Sequence, residues 1–370
     1  MLPAIFEKLE QPSVVTRWMW LARTDLTLPR LPIGAPRPVV VGVPARDEAA
    51  HIIPCLAALD RAAAHANVRV TIVVGANNCV DNTAGVARAF TARWAKIDVE
   101  EVALPAERAH AGGARRIVMD RAADLAGAGG VVMTTDADSQ VDVDWIAANL
   151  GEISGGADAV AGVITFDADA REKVSDLTHR AAEWQLATLH ARLEDLIDPR
   201  AHDPWPRHIW AWGASLALTV ETYRAVGGVP LVALAEDRAL ADAVESAGFR
   251  LRRSLAPLVF TSPRRIGRAP GGFADLLASH ASSTTPCDAA LEPTRTLLHR
   301  LVLRARLRRE ISSNFSACWA AVEALTPRLA RQRLLPMELD REVRQAERLI
   351  RRLERRATHP DDSPPVALAA

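Results

Sequence analysis

The chain has 370 residues, 49% hydrophobic and 24% charged, a globular composition long enough for one large or two modest domains. Its 45 basic and 45 acidic side chains cancel, which removes any global attraction to nucleic acid. Cys55, Cys79, Cys287 and Cys318 are scattered, so neither a disulfide framework nor a paired metal-ligand spacing is present. No apolar run approaches the roughly 20 residues that cross a bilayer. The start lacks the basic, apolar and small-residue pattern of a signal peptide. A reducing cytoplasm is therefore the expected compartment.

The first 36 residues, broken by Pro29, Pro32 and Pro36, read as a packing lead-in carrying Trp18 and Trp20. PVVVGVP (38–44) is the first strand, and ARDEAAHIIPCLAAL after it reads as a helix with an acidic first turn. VRVTIVV (68–74) is the second strand. In its following loop, Asn77, Asn78, Asp81 and Asn82 are turn formers that can also bond a base or ribose. Ile97–Leu104 is the third strand. HAGGARR (110–116) opens a helix whose glycines and arginines, Arg115 among them, suit a phosphate at a helix N-terminus.

A buried strand then ends in VVMTTDADS, with Asp136 and Asp138 at its carboxyl end. In an open α/β sheet, ligands bind beyond those ends. Two carboxylates held there repel unless a cation is near, and Mg²⁺ is usually held by one or two carboxylates plus phosphate oxygens. The pair therefore points to a metal-diphosphate site. About one Asp-x-Asp is expected by chance in a chain this long. Of the two others, Asp142 or Asp144 reads as the N-cap of a helix from Trp145, and Asp167/Asp169 as a solvated turn.

Ala159–Ile164 is a further strand, and Arg171–Leu196 a helix ended by Pro199. The loop that follows, rich in Asp, His, Trp and Pro, is over-long for a simple connection. Trp205, Trp210 and Trp212 are equally readable as core or as stacking partners of a sugar or acceptor. Trp205, His208, Trp212 and Gly213 are taken as candidate acceptor contacts. Ser215–Thr219 is a strand. Glu236 and Asp237 start a helix, where a carboxylate either caps or serves as a general base. Leu258–Thr261 leads into a Gly-rich loop with Arg264, Arg265 and Arg268, expected to close on phosphates. From Thr294 the chain is helical. Leu297, Leu298, Leu301 and Val302 form one face and Arg300, Arg304 and Arg308 another, with a membrane surface as the lesser reading of the basic side. The last helix has an apolar stripe through Leu339, Val343, Ala346, Leu349 and Leu353, a docking face for its own chain or for a second copy in a homodimer.

Strands alternating with helices predict an α/β fold, a mostly parallel sheet with helices on both faces. Neither the GxxxxGKS phosphate loop nor the GxGxxG dinucleotide fingerprint is present. The ordered set VVVGVPARDEAAHI, IVVGANNCVDNTAGVA, AGGARR, TTDADS, GASLALTVETYRAVGG and AEDRAL resembles family-2 glycosyltransferases of the GT-A fold, from about Val39 to Arg268. That resemblance implies a nucleotide-sugar-binding half (38–150) and an acceptor-binding half (151–290); the residue patterns add the lead-in (1–37), C-terminal helices (291–357) and a disordered tail (358–370).

It implies that Pro44, Ala45, Arg46 and Asp47 or Glu48, with Asn77, hold the nucleobase. Asp136, Ala137 and Asp138 form a DxD motif binding ribose, diphosphate and Mn²⁺ or Mg²⁺. Arg115, Arg264 and Arg268 complete the donor site, and Asp237 beside Glu236 is the base. The usual Asp-Asp-Gly-Ser of the second strand is here Gly75-Ala76-Asn77-Asn78, and the QxxRW motif of processive members is absent. His208 and His280 are both candidates for an extra metal ligand. The implied activity is transfer of one sugar, with inversion, from a nucleoside-diphosphate sugar to an acceptor hydroxyl. A nucleotidyltransferase acting on a sugar phosphate and a non-catalytic sugar-nucleotide-binding protein are the alternatives.

Overall fold

Val39–Ala45 forms β1, and six of its seven residues are buried. A valine run without polar alternation is stable only where both sheet faces are covered. The computed structural model describes residues 37–166, 178–264, 267, 285–311 and 315–358. Around β1 it builds a sheet from β2 (Val70–Asn77), β3 (Lys96–Val102), β4 (Val131–Thr134), β5 (Gln140–Val141), β6 (Ala159–Thr165), β7 (Leu216–Thr219) and β8 (Leu251–Phe260). The order is β3-β2-β1-β4-β7-β6-β8-β5.

The pairs β1/β2, β2/β3, β1/β4 and β6/β8 are parallel, and β4/β7, β6/β7 and β5/β8 antiparallel. The chain runs from β1 outward to β3 and then returns to the other side of β1 as β4. This reversal puts a topological switch point between the carboxyl ends of β1 and β4, where open α/β sheets bind ligands.

One face of the sheet carries α1 (Ile52–Ala66), α2 (Thr83–Ala89) and α4 (Trp145–Ser154) against Val39, Val41 and Val43. The other carries α3 (Ala111–Ala126), α6 (Val220–Ala225) and α7 (Glu236–Ser246) against Val40 and Val73. At Gly75 of β2 an added Cβ would lie 2.4 Å from the Val118 side chain, so its absence lets α3 lie close on the sheet. Each fully buried Val, Leu or Ile stabilises this packing by about 1.5–3 kcal/mol.

Two local readings change, and the N-cap expected before Trp145 holds at Asp144. The acidic turn expected at the start of α1 is outside the helix, which begins at Ile52 with no acidic residue in its first turn. Asp47 has φ 54°, a left-handed conformation that no α-helix can pass through. Asp144 takes the N-cap position of α4 without a side-chain cap bond, while the Asp142 carboxylate accepts the Asp144 N–H at 3.1 Å. The two-residue β5, pairing with β8, has no periodicity to announce it.

The chain divides into two compact units. The sheet lies in the first, residues 1–176 and 210–281; the second comprises 177–209 and 282–370. The second unit contains α5 (Thr178–Ile197), α8 (Thr294–Glu310), α9 (Phe315–Leu325) and α10 (Leu339–Thr358), so α5, expected with the acceptor half, groups with the C-terminal helices. α10 and α8 both pack on α5. Of the stripe, Leu339, Val343 and Ala346 are buried and Leu349 and Leu353 half-buried, with Ile350 buried beside them, so the stripe docks on its own chain.

The arginines of the basic face of α8 meet carboxylates, although Arg308 stays exposed. Arg300, 3% exposed, pairs with Glu292 at 2.9 Å and with Glu323, while Arg304 and Arg308 reach Asp198 at 2.5 and 2.9 Å. Burial alone would raise Glu194, but Arg207, Arg304 and Arg200 hold it well below the usual carboxylate range. No helix among the described residues is long and apolar enough to cross a membrane.

Candidate active site

The apolar β4 ends in buried Thr134, buried Thr135 follows, and the next four residues turn sharply, with Ser139 N–H donating to the Asp136 carbonyl at 3.0 Å. Thr135 N–H reaches the Gly42 carbonyl of β1 at 3.4 Å, so the turn leaves the sheet at the switch point. Ala137 is buried. The Asp136 side chain is 37% exposed and the Asp138 side chain 11%.

Each aspartate meets one arginine. Arg115 of α3 places Nη2 2.8 Å from Asp136 Oδ1 and Nε 3.0 Å from Glu236 Oε1. Its place at a helix start reads as a phosphate contact, yet the residue is 5% exposed and makes four hydrogen bonds to protein groups. Arg264, just after β8, places Nη2 3.0 Å from Asp138 Oδ2 and Nη1 2.6 Å from Glu48 Oε1. Glu48 Oε2 lies 3.0 Å from His51 Nδ1. Burial, then Asp136, pushes the Asp138 carboxyl up to about 6, against the opposing pull of Arg264.

Pro44 and Ala45 end β1 in register with Gly75 and Ala76 of β2. Arg46 Nη1 donates to the Ala109 carbonyl at 3.4 Å. Asn77 is buried at the end of β2, and Asn78, at φ 49°, exchanges two bonds with Leu104, donating to its carbonyl at 2.9 Å and accepting its N–H at 3.0 Å. Here the sequence reading missed a cluster. One ligand atom each of Asp47, Cys79 and Asp81 lie within 4.8 Å of one another. These side chains knit the two loops together: Asp47 Oδ1 accepts Val80 N–H at 2.7 Å, and Asp81 Oδ2 accepts Ala49 N–H at 3.0 Å. Only the polarity of NNCVD signalled it.

Ala235, at φ 58°, turns the chain into α7, and Glu236 and Asp237 occupy that helix's first turn. Asp237 Oδ2 accepts Gly213 N–H at 2.8 Å, and Oδ1 accepts Arg238 N–H at 2.7 Å. Burial, then Glu236, raises the Asp237 carboxyl, while Arg115 and these two N–H groups limit the rise. A carboxylate raised toward neutrality suits proton abstraction better than an ordinary one.

The expected acceptor residues separate. Trp212 and Gly213 belong to the unit with the carboxylates, where Trp212 stacks on Trp210 at 5.1 Å. Trp205 and His208 belong to the other unit; the Arg192 guanidinium lies 5.7 Å from the Trp205 ring centre, and His208 is 2% exposed. Arg268, His280 and the Asp167/Asp169 pair lie outside the described residues.

Glu48, Asp136, Asp138, Glu236 and Asp237 thus share the two guanidinium groups of Arg115 and Arg264. The oxygen-only donor set of Asp136 and Asp138, short of positive charge, fits a hard divalent cation.

A family model described as Glycosyl transferase family 2 matches residues 40–209, a span that includes Arg115, Asp136 and Asp138 and stops before Asp237 and Arg264. No curated protein matches the sequence. Among solved structures, the chain is similar to the mannosyltransferase PcManGT from Pyrobaculum calidifontis in complex with GDP-Man and Mn²⁺ (16% identity, 94% of this chain and 95% of that chain, TM-score 0.45). It is similar to S. aureus TarS 1-349 in complex with UDP-GlcNAc (12% identity, 86% and 92%, TM-score 0.48). It is also similar to glucosyl-3-phosphoglycerate synthase from Mycobacterium tuberculosis in complex with Mn²⁺, UDP and phosphoglyceric acid (14% identity, 81% and 84%, TM-score 0.38). Residues 40–209, just under half of the chain, match glycosyl transferase family 2, and the ordered motifs and the mixed α/β sheet agree with that match and support a glycosyltransferase.

Proposed function

We propose that the chain transfers one sugar per encounter, with inversion, from a nucleoside-diphosphate sugar to an acceptor hydroxyl, with the help of Mn²⁺ or Mg²⁺. The observation that carries this reading is the pair Asp136 and Asp138 at the switch point, joined through the Arg115 guanidinium to the turn that holds Glu236 and Asp237. Bound by Asp136 and Asp138, a divalent cation supplies Lewis-acid charge to the departing diphosphate. The protein's own part is to orient and to move a proton. Pro44, Ala45, Arg46 and Glu48 at the end of β1 and Asn77 at the end of β2 line the nucleoside side. Arg264 leans from the β8 side onto Asp138 and Glu48, within reach of a diphosphate there.

Asp237 takes the acceptor proton as its oxygen attacks the anomeric carbon and the bond to the diphosphate breaks. Each Asp237 oxygen already accepts one backbone N–H, which fixes the carboxylate's direction and leaves a lone pair on each for that proton. A single in-line displacement inverts the anomeric centre and requires no covalent intermediate. Trp212 and Gly213 lie on the acceptor side. The four cysteines are free thiols, in keeping with a cytoplasmic setting.

The test is incubation with UDP-, GDP- and dTDP-sugars, with and without Mn²⁺, in the presence of cell-extract acceptors. Cation-dependent release of nucleoside diphosphate supports the reading. Pyrophosphate release from a triphosphate, or binding with no turnover, overturns it in favour of a nucleotidyltransferase or a binding protein.

A further inference from the structure

Arg115 is buried among groups that belong to both sides of the site. Its Nη2 and Nε span Asp136 and Glu236 at 2.8 and 3.0 Å, and its Nη1 donates to Thr134 Oγ1 at 2.9 Å and to the Gly213 carbonyl at 2.8 Å. Gly213 is in turn held from its other end, because its N–H donates to Asp237 at 2.8 Å. One peptide segment is therefore clamped between the arginine and the carboxylate next in sequence to Glu236. The space confirms the fit: a Cβ at Gly213 would stand 2.4 Å from Arg115 Nη2 and 2.6 Å from its Cζ. Any residue but glycine there displaces the guanidinium. A planar five-donor fork can serve four such partners at fixed angles, whereas a lysine ammonium on the same stem cannot.

We infer that Arg115 is a positioning residue that fixes the Glu236–Asp237 turn and Gly213 against the donor-side Asp136, so that the aim of Asp237 depends on it. The inference rests on the reading of Asp237 as the base. It differs from a phosphate-binding role, in which the arginine would act on the donor alone. Because Arg115 works through Asp237, its loss should lower transfer only while Asp237 is there to be aimed.

The experiment is a double-mutant cycle in the full chain, with kcat and donor KM measured for Arg115→Lys, Gly213→Ala, Asp237→Asn and the pairs. Arg115→Lys and Gly213→Ala should each lower kcat about tenfold or more, with donor KM changed by less than about threefold, and either change in the Asp237→Asn background should cost less than about threefold more. Gly213→Ala keeps Arg115 and its charge, so it carries the test if Arg115→Lys does not fold. Equal losses in both backgrounds, or a loss confined to donor KM, overturn the positioning role while leaving Asp237 as base. An Asp237→Asn chain with undiminished kcat overturns the base assignment, and with it this inference; that single variant tells the two failures apart.

Discussion

Arg264 Nη2 sits 3.0 Å from Asp138 Oδ2, and the same guanidinium reaches Glu48 at 2.6 Å. One cation thus holds two of the carboxylates that crowd the end of β4, and Asp138 still titrates near 6 because burial and Asp136 outweigh it. The folded value lies above the ordinary 3.8, so it is the protonated form that folding favours. That stabilising contribution is complete below about pH 4 and is lost as pH rises through about 6. Without added cation, Asp138→Asn should therefore be more stable than the parent at pH 8, by about 2–3 kcal/mol, and nearly equal to it at pH 4. Urea unfolding at the two pH values measures this; an equal difference at both would remove Asp138 as the source.

Asp138→Ala should lower transfer roughly a hundredfold or more, since metal stabilisation of a leaving group is worth several kcal/mol. Asp144→Ala should change it little. That carboxylate pairs with the half-exposed His65 at 3.0 Å, and surface pairs of this kind contribute about 0–1 kcal/mol. Similar losses in the two variants would sink the metal assignment.

Asp237→Asn should lower transfer by about 10²–10⁴, the usual worth of a general base. Asn retains a single carbonyl oxygen where Asp237 accepts both Gly213 and Arg238 N–H groups, so stability should fall by about 1 kcal/mol, without unfolding. Nucleotide-sugar affinity and cation dependence should survive, because Asp136 and Asp138 are intact. Calorimetric titration with the donor, beside initial rates, separates the two effects; near-normal transfer would move the base to Glu236 or elsewhere.

Leu339→Ala, at the start of the stripe that packs α10 on α5, should destabilise the second unit by about 2–5 kcal/mol. Truncation before Met337 should do so more strongly, since it also removes Glu342, whose carboxylate accepts Thr294 N–H at 2.7 Å at the start of α8. Calorimetry and sedimentation check this. Turnover per folded molecule should hold; a folded, monodisperse truncation with no activity would give the helices a role in the chemistry.

The strands β1, β2 and β4, the Asp pair at the end of β4 and the order of the motifs were legible in the sequence, because a doubly covered strand must be an unbroken apolar run and polar residues bounding it fall at its end. Composition and the missing Gly-rich signatures excluded P-loop and dinucleotide chemistry for the same local reasons. What only the tertiary structure decided depends on contacts between residues far apart in the chain. Arg115 reads locally as a helix-start phosphate contact, and only the meeting of α3 with residues 213 and 236 turns it into a buried clamp. Arg300, Arg304 and Arg308 read only as one basic face of a helix, because helical spacing says which residues share a face but not what that face meets. Their partners, Glu292, Glu194 and Asp198, lie on other segments. Gly213 reads locally only as a candidate acceptor contact; its close approach to a guanidinium from 98 residues away belongs to the tertiary structure.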